Sequence, residues 1–222
     1  MKAIVTAGPT YEPIDPVRFI GNRSSGKQGY AIAEALAKAG YDVTLISGPT
    51  SLNTPENVNT IRVETANEML HATLNALPAD IAICAAAVSD WSPIKQQEHK
   101  IKKRPKKNND ETAPTIALKE NPDILKTISN HKNRPALVIG FAAETENLHD
   151  NAKIKLKRKN CDWILANLVA QNNKKIFGED QNHVYLITSS NTQDWQEMSK
   201  VAIAQKLADE IKQYLNTQDA VQ

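Results

Sequence analysis

Asp80-Ile-Ala-Ile-Cys-Ala-Ala-Ala-Val88 decides the fold of this chain. An apolar run this nearly unbroken reads as a β-strand covered on both faces, as in a parallel sheet with helices above and below. Working outward, strand and helix signals alternate. Ala3-Ile-Val-Thr6 reads as a first strand, residues 29–39 as an amphipathic helix, and Asp42-Val-Thr-Leu-Ile-Ser47 as a second strand closed by Gly48-Pro49. Asn59-Thr-Ile-Arg-Val63 is a third, and Thr65-Ala-Asn-Glu68 fits a capping box opening a helix to about Leu77. Downstream, Asn121-Pro-Asp places a helix start with proline near its first turn. Ala136-Leu-Val-Ile-Gly-Phe141 is another buried strand, followed by a charged helix over about 146–159. Trp163-Ile-Leu-Ala166 and His183-Val-Tyr-Leu-Ile187 are late strands, and a helix over about 197–214 closes the chain.

This alternation predicts an α/β fold: a Rossmann-like, doubly wound, mostly parallel sheet with helices on both faces, formed by residues 1–222 as a single domain. With 222 residues, 41% hydrophobic and 23% charged, the chain has a globular composition and length enough for one substantial core. A net charge of +2 exerts no general pull on nucleic acid, so any basic patch acts locally. Lys2 runs straight into a strand, not into the apolar core of a signal peptide. No apolar stretch approaches the roughly 20 residues that cross a bilayer. The expectation is a cytoplasmic protein without membrane contact. Cys84 and Cys161 make no disulfide framework and read as reduced, buried thiols.

Upstream lies Asp15-Pro-Val-Arg-Phe-Ile-Gly-Asn-Arg-Ser-Ser-Gly-Lys-Gln-Gly29. Its small residues Ser24, Ser25, Gly26 and Gly29 lead into the helix that begins near Tyr30. A glycine-rich turn at a helix N-terminus presents free N–H groups and the positive end of the helix dipole, a seat for phosphate. Arg18, Asn22, Arg23 and Lys27 add side-chain donors. Gly21-Asn-Arg-Ser-Ser-Gly-Lys-Gln28 nevertheless falls short of a P-loop, because Gln28 stands where Ser or Thr would hold magnesium and the loop begins too far beyond the first strand. A three-glycine dinucleotide fingerprint is missing too, since the first strand runs into Ala7-Gly8-Pro9-Thr10. Gly26 and Gly29 alone would also suit a plain tight turn with close helix packing.

After the deciding strand, Ala85-Ala-Ala-Val-Ser-Asp-Trp91 offers tiny side chains and then a carboxylate. Alanines admit a ligand close to the backbone, and Asp90 can accept hydrogen bonds or help to hold a metal; buried strands also carry alanine for packing alone. From Trp91 to Pro114 periodicity fails and charge accumulates, notably in Lys100-Ile-Lys-Lys-Arg-Pro-Lys-Lys107. Most charge runs are solvated surface. This one leaves the C-terminal end of a buried strand, where open α/β sheets bind ligands, so a long basic arm or lid is expected over about 91–114. Lys155 and Lys159, four apart, share a helix face, as many solvated lysines do. The five histidines show no metal-ligand spacing, and no Ser/His/Asp order stands out.

Together these residues resemble the phosphopantothenoylcysteine synthetase family of coenzyme A biosynthesis. The matching stretches are 15–29, Val43-Thr-Leu-Ile-Ser-Gly-Pro49, 85–91, Lys100-Ile-Lys-Lys103, Asn121-Pro-Asp-Ile124, Gly140-Phe-Ala-Ala-Glu-Thr145 and Ala166-Asn167, in the expected order along nearly the whole chain. The resemblance implies a two-step ligation. The carboxylate of 4′-phosphopantothenate attacks the α-phosphate of a nucleoside triphosphate, usually CTP in bacterial members, releasing pyrophosphate, and the amine of L-cysteine then attacks the acyl-nucleotide to give the amide and the nucleoside monophosphate. Magnesium is the natural partner of such a triphosphate; the metal ligands are not readable.

By the same resemblance, Lys100 acts on the phosphates in the first step and Asn22 handles the acyl intermediate. Arg18, Asn22, Ala86, Ala87 and Asp90 match positions around phosphopantothenate, with Arg18 reaching in from a second subunit of a homodimer whose interface includes the 91–114 arm. Ser24, Gly26, Gly29, Asp90, Lys100, Asn121, Pro122, Asp123, Ile124, Phe141, Lys155 and Lys159 match nucleotide contacts, while Lys102 and Lys103 either assist or are solvated. Many bacterial members are fused behind a flavin-dependent decarboxylase. Here Met1 directly precedes the first strand, so the likeness is to a stand-alone synthetase without a flavin site, its product passing to a separate decarboxylase. One departure is Leu168, where relatives often carry an acidic residue.

Two other classes compete. An NAD(P)-dependent oxidoreductase would suit the sheet but lacks its glycine fingerprint. A basic-loop RNA- or polyanion-binding protein would rest on residues 100–107 and require steeply salt-dependent binding; few aromatics and near-neutral charge count against it.

Overall fold

The computed structural model describes residues 1–102, 114–168, 170–171, 174–175 and 180–219. In chain order the elements are β1 (Lys2–Ala7), β2 (Tyr11–Asp15), β3 (Arg18–Gly21), α1 (Lys27–Lys38), β4 (Asp42–Ser47), β5 (Val58–Arg62), α2 (Ala66–Asn75) and β6 (Ile81–Cys84). There follow β7 (Trp91–Pro93), β8 (Leu118–Glu120), α3 (Ile124–Ser129), β9 (Leu137–Glu144), α4 (Leu148–Lys159) and β10 (Trp163–Leu168). The last are β11 (Ala170–Gln171), β12 (Lys174–Lys175), β13 (Gln181–Ile187), β14 (Thr192–Ser199) and α5 (Lys200–Asp219).

The central sheet has eight strands in the order β14-β13-β10-β9-β6-β1-β4-β5. From β10 to β5 every pairing is parallel, whereas β13 pairs antiparallel with both β10 and β14. In register, Val5 of β1 lies between Leu45 of β4 and Ile83 of β6, and Ile83 faces Ile139 of β9. Period-two alternation sends the side chains of each strand to opposite faces. Val5, Leu45, Ile83, Ile139 and Leu165 pack beneath Ile32 and Leu36 of α1 and Ile203, Leu207 and Ile211 of α5. Ile4, Ile46, Val138 and Ile164 pack on the other face against Met69 of α2, Ile128 of α3 and Ala152 and Leu156 of α4. A fully buried aliphatic side chain such as Leu36 or Ile83 contributes about 1.5–3 kcal/mol. The doubly wound, mostly parallel architecture read from the sequence is the observed one. Among the described residues no helix is long and apolar enough to cross a membrane.

Three details differ from the sequence reading. The 80–88 strand stops at Cys84, because beyond that residue the chain leaves β9 and bonds only along the continuation of β1: Ala85 N–H to the Thr6 carbonyl at 3.1 Å and Ala87 N–H to that of Gly8 at 2.9 Å. A crevice opens there at the C-terminal ends of β1, β6 and β9. Second, two small hairpins lie where loops were expected, β2–β3 and β7–β8. Third, the closing helix begins at Lys200, and the polar edge strand β14 precedes it, with Trp195 buried. Of the cysteines, Cys161 is buried, but Cys84 is only half-buried at the crevice.

Candidate functional site

Parallel strands end together, so their C-terminal edge carries the loops that can build a site, and a crevice forms where the strand order reverses. Here β1 lies between β4 and β6, and the crevice holds a cleft of about 1040 Å³. Its walls are the 22–29 loop with the first turn of α1, the strand exit 84–91, the entry to α3 over 120–126, the end of β9, the last turns of α4, and Asn167, Asn182 and Lys200.

The α1 entry follows from its glycines. Gly26 caps the helix in the left-handed region, φ +74°, with no side-chain cap bond. Its N–H is taken by Ser24 Oγ at 3.2 Å, which curls the loop. Gly29 lies against β1, where a Cβ would stand 2.5 Å from that of Ala7. The helix start can thus sit directly on the strand end, with no side chain offered by the Gly26 cap and the Lys27 N–H donating to Ser25 Oγ at 3.5 Å.

Asn22 reaches over the strand exit and donates from Nδ2 to the Val88 carbonyl at 2.9 Å, leaving the second N–H of that nitrogen for a ligand. Ala86, Ala87 and exposed Asp90 form the floor and rim opposite. Asn121 stitches the α3 entry to this exit: its N–H bonds the Asp90 carbonyl and its Nδ2 the Ser89 carbonyl, each at 2.9 Å. Asn121 Oδ1 is shut off from solvent and meets no donor among the described residues. Asp123 caps α3 through Oδ1, which accepts from Lys126 N–H at 3.0 Å, and pairs through Oδ2 with Lys159. Burial would raise its pKa, but the Lys159 hydrogen bond and the Lys126 amide outweigh that and hold the carboxyl below its usual range. Lys155 Nζ donates to the Phe141 carbonyl at 2.8 Å, and burial lowers its pKa. Arg158 joins these two lysines on the wall, so a positive face from α4 confronts the amide-rich start of α1. Such a pair of walls suits a polyanion. Burial pushes the Cys84 thiol up to about 12, which leaves it uncharged on the floor.

Asn22, Ser24, Gly26, Gly29, Ala86, Ala87, Asp90, Asn121, Pro122, Asp123, Ile124, Phe141, Lys155 and Lys159, drawn from distant stretches, all line this one cleft. Arg18 and Lys100 do not line it. Arg18 instead clamps Asp15, with Nε 3.0 Å from Oδ2, and donates to the Ile101 carbonyl at 2.9 Å, tying the β2–β3 hairpin to the base of the arm. That guanidinium holds the Asp15 carboxyl well below the usual carboxylate range. Lys100 is exposed beside this clamp, as is Lys102, while Lys103, Lys106 and Lys107 lie outside the described residues. Leu168 ends β10 half-buried against the core, with no polar role. The sequence reading gave no role to Gln28, Asn182, Lys200 or Arg158, which also line the cleft. Gln28 sat within the glycine-rich motif, but Asn182 and Lys200 reach the cleft only through the antiparallel β13–β14 edge, which leaves no motif. Among the described residues, no group of three or more His, Cys, Asp or Glu is placed to hold a metal.

The model of the DNA/pantothenate metabolism flavoprotein C-terminal domain family matches residues 1–215. Among curated proteins, the chain is 47% identical over 212 residues to the coenzyme A biosynthesis bifunctional protein CoaBC of Haemophilus influenzae, covering 95% of this chain and 51% of that protein. It is 42% identical over 220 residues to the Escherichia coli protein of the same name, covering 95% and 51%. The chain thus spans about half the length of the curated relatives it matches. Among solved structures, the crystallised C-terminal domain of a CoaBC protein superposes with a TM-score of 0.79 at 37% identity, covering 97% of this chain and 96% of that one. A Cab2 mutant in complex with phosphopantothenate-cysteine shares the fold at TM-score 0.74 and 20% identity, covering 98% and 87%. The chain belongs to the DNA/pantothenate metabolism flavoprotein C-terminal domain family.

Proposed function

We propose that this chain ligates 4′-phosphopantothenate to L-cysteine through an acyl-cytidylate, consuming CTP and releasing pyrophosphate and CMP. The observation that carries this reading is the two-walled cleft, in which the α1 entry with Asn22 faces Lys155, Arg158 and Lys159 across the alanine-lined exit of β6. In the first step a carboxylate oxygen bonds the α-phosphorus as the bond to pyrophosphate breaks, and fixed cations offset the charge spread over the phosphates. In the second the cysteine amine bonds the acyl carbon, the C–O bond to the nucleotide breaks with its electron pair leaving on CMP, and the surplus amine proton passes to solvent.

Each wall supports a role. The Asn22 N–H left over from Val88 is a donor for the oxyanion at the acyl carbon. The small Ala86 and Ala87 let the pantothenate arm lie against the backbone. Asn121 Oδ1 is an acceptor for the exocyclic amine of the base, and the α4 cations match the triphosphate. Magnesium would enter with the nucleotide and neutralise phosphate charge, and the Asp90 carboxylate at the rim of the cleft is placed to help hold it.

Arg18 and Lys100 lie off the cleft of their own chain, which fits their acting from a homodimeric partner. Exposed Val17, Phe19, Trp91 and Leu118 on the two small hairpins, with Ile94 directly after β7, are the apolar surface for that contact. The product then goes to a decarboxylase, the kind of domain fused in bacterial members of the resembled family. The test is mass spectrometry of the product: 4′-phosphopantothenoylcysteine forms only when 4′-phosphopantothenate, CTP and L-cysteine are all present. No amide product would overturn the reading.

A further inference from the structure

Half of the Gln28 amide is committed and half is unmet. Nε2 donates to the Lys200 carbonyl at 3.1 Å, which fixes the side chain between the first turns of α1 and α5. Oε1 is shut off from solvent and meets no donor among the described residues. A buried acceptor costs free energy until a donor arrives, so such atoms in native proteins call for an explanation. Gln28 lines the cleft, so a bound ligand is the natural source.

The chemistry of the missing donor narrows the choice. Phosphate oxygens are acceptors, so the triphosphate cannot satisfy Oε1; an amine, ammonium or hydroxyl can. Asn167 and Asn182 line the same cleft on the β10 and β13 side and supply amide groups. A lone acceptor beside several donors is the complement of a zwitterion, with its ammonium on Oε1 and its carboxylate on the donors. The position fits as well. Gln28 and Lys200 belong to the helices on one face of the sheet, whereas Asp123, Lys155 and Lys159 belong to those on the other. An amino acid here lies across the cleft from the α4 cations.

We infer that this lobe is the amino-acid subsite, in which Gln28 Oε1 accepts a hydrogen bond from the α-ammonium of L-cysteine and, once that group has lost a proton to solvent, holds the free amine for attack on the acyl carbon. The inference rests on the proposed ligase reading. Ribose hydroxyls are the competing donors, and steady-state kinetics separates the two. Gln28→Met keeps the length and removes the acceptor, and Gln28→Glu keeps an acceptor. With the other substrates saturating, the KM for L-cysteine rises roughly tenfold or more in Gln28→Met, as expected for a lost bond to a charged donor, and rises less in Gln28→Glu, which keeps the acceptor but loses the Nε2 bond to the Lys200 carbonyl. The CTP dependence of cysteine-independent pyrophosphate release does not move in Gln28→Met. A raised KM for CTP with that for cysteine unmoved would assign Gln28 to the ribose and overturn the inference, as would no change in either. Gln28→Leu replaces Gln28→Met should the latter fold poorly. A wild-type protein that releases no pyrophosphate would instead remove the ligase reading itself.

Discussion

Lys159, in the last turn of α4, is ion-paired with Asp123, the residue that caps α3. One carboxylate thus fixes a helix start and holds a cleft cation in place. Removing it has two separable effects.

Asp123→Ala loses the cap and leaves Lys159 unpaired, so the unfolding free energy falls by about 1–2 kcal/mol, read from the denaturant midpoint. Asp123→Asn keeps a capping oxygen and loses less. The carboxyl titrates below its ordinary value of 3.8, so its contribution is present above that value and is lost as the pH falls through the folded value. Asp123→Asn lacks that acid-side component; identical acid profiles for variant and wild type would remove the pair from the stability of the fold.

Lys155 carries the opposite sign. Burial lowers its pKa from 10.5, so below the folded value its buried charge costs stability, and the cost is relieved as the pH rises from there toward 10.5. A bound triphosphate restores the preference for the charged form. Nucleotide binding therefore takes up a proton at alkaline pH, between the lowered value and 10.5, visible as a buffer-dependent binding enthalpy in calorimetry, and Lys155→Met abolishes it. An enthalpy independent of buffer would place the phosphates away from Lys155.

Gly29→Ala forces a Cβ to within 2.5 Å of the Ala7 Cβ and 3.1 Å of its Cα, with no flexible side-chain end to yield. The α1 entry must move off β1. The expected result is a stability loss of about 1–3 kcal/mol together with weakened CTP binding, measured on the folded variant below its Tm. Unchanged CTP affinity would mean that the α1 entry does not seat the phosphates.

Asn22→Asp replaces the donor that bridges toward Val88 with a carboxylate. The first step continues, the second slows on the order of 10²–10³, and acyl-cytidylate accumulates in quenched reactions. Equal slowing of both steps would give Asn22 a binding role only.

The sheet and the motif residues of the cleft were legible because periodicity marks buried strands and because small residues at strand exits and helix starts have few other uses. Val5, Ile83 and Ile139 advertise the sheet, and Gly26 and Gly29 the α1 entry. The hairpins were not legible: β2 contains Pro13, and neither β2 nor β3 alternates cleanly, so pairing there depends on contacts such as the Tyr11–Phe19 stack at 3.9 Å. Edge strand β14 shows one buried tryptophan among polar neighbours, too little for a period. The same edge brings Asn182 and Lys200 into the cleft, which is why that lobe escaped notice. Alanines 85–87 read as strand because hydrophobicity does not record that a neighbouring strand has departed.

The central claim is tested most directly by pyrophosphate release with 4′-phosphopantothenate and magnesium, comparing CTP with ATP, before and after L-cysteine is added. The account predicts release with CTP that depends on 4′-phosphopantothenate, weaker or no release with ATP, amide product once cysteine is present, and loss of release in Lys100→Gln. No release with either nucleotide would contradict it.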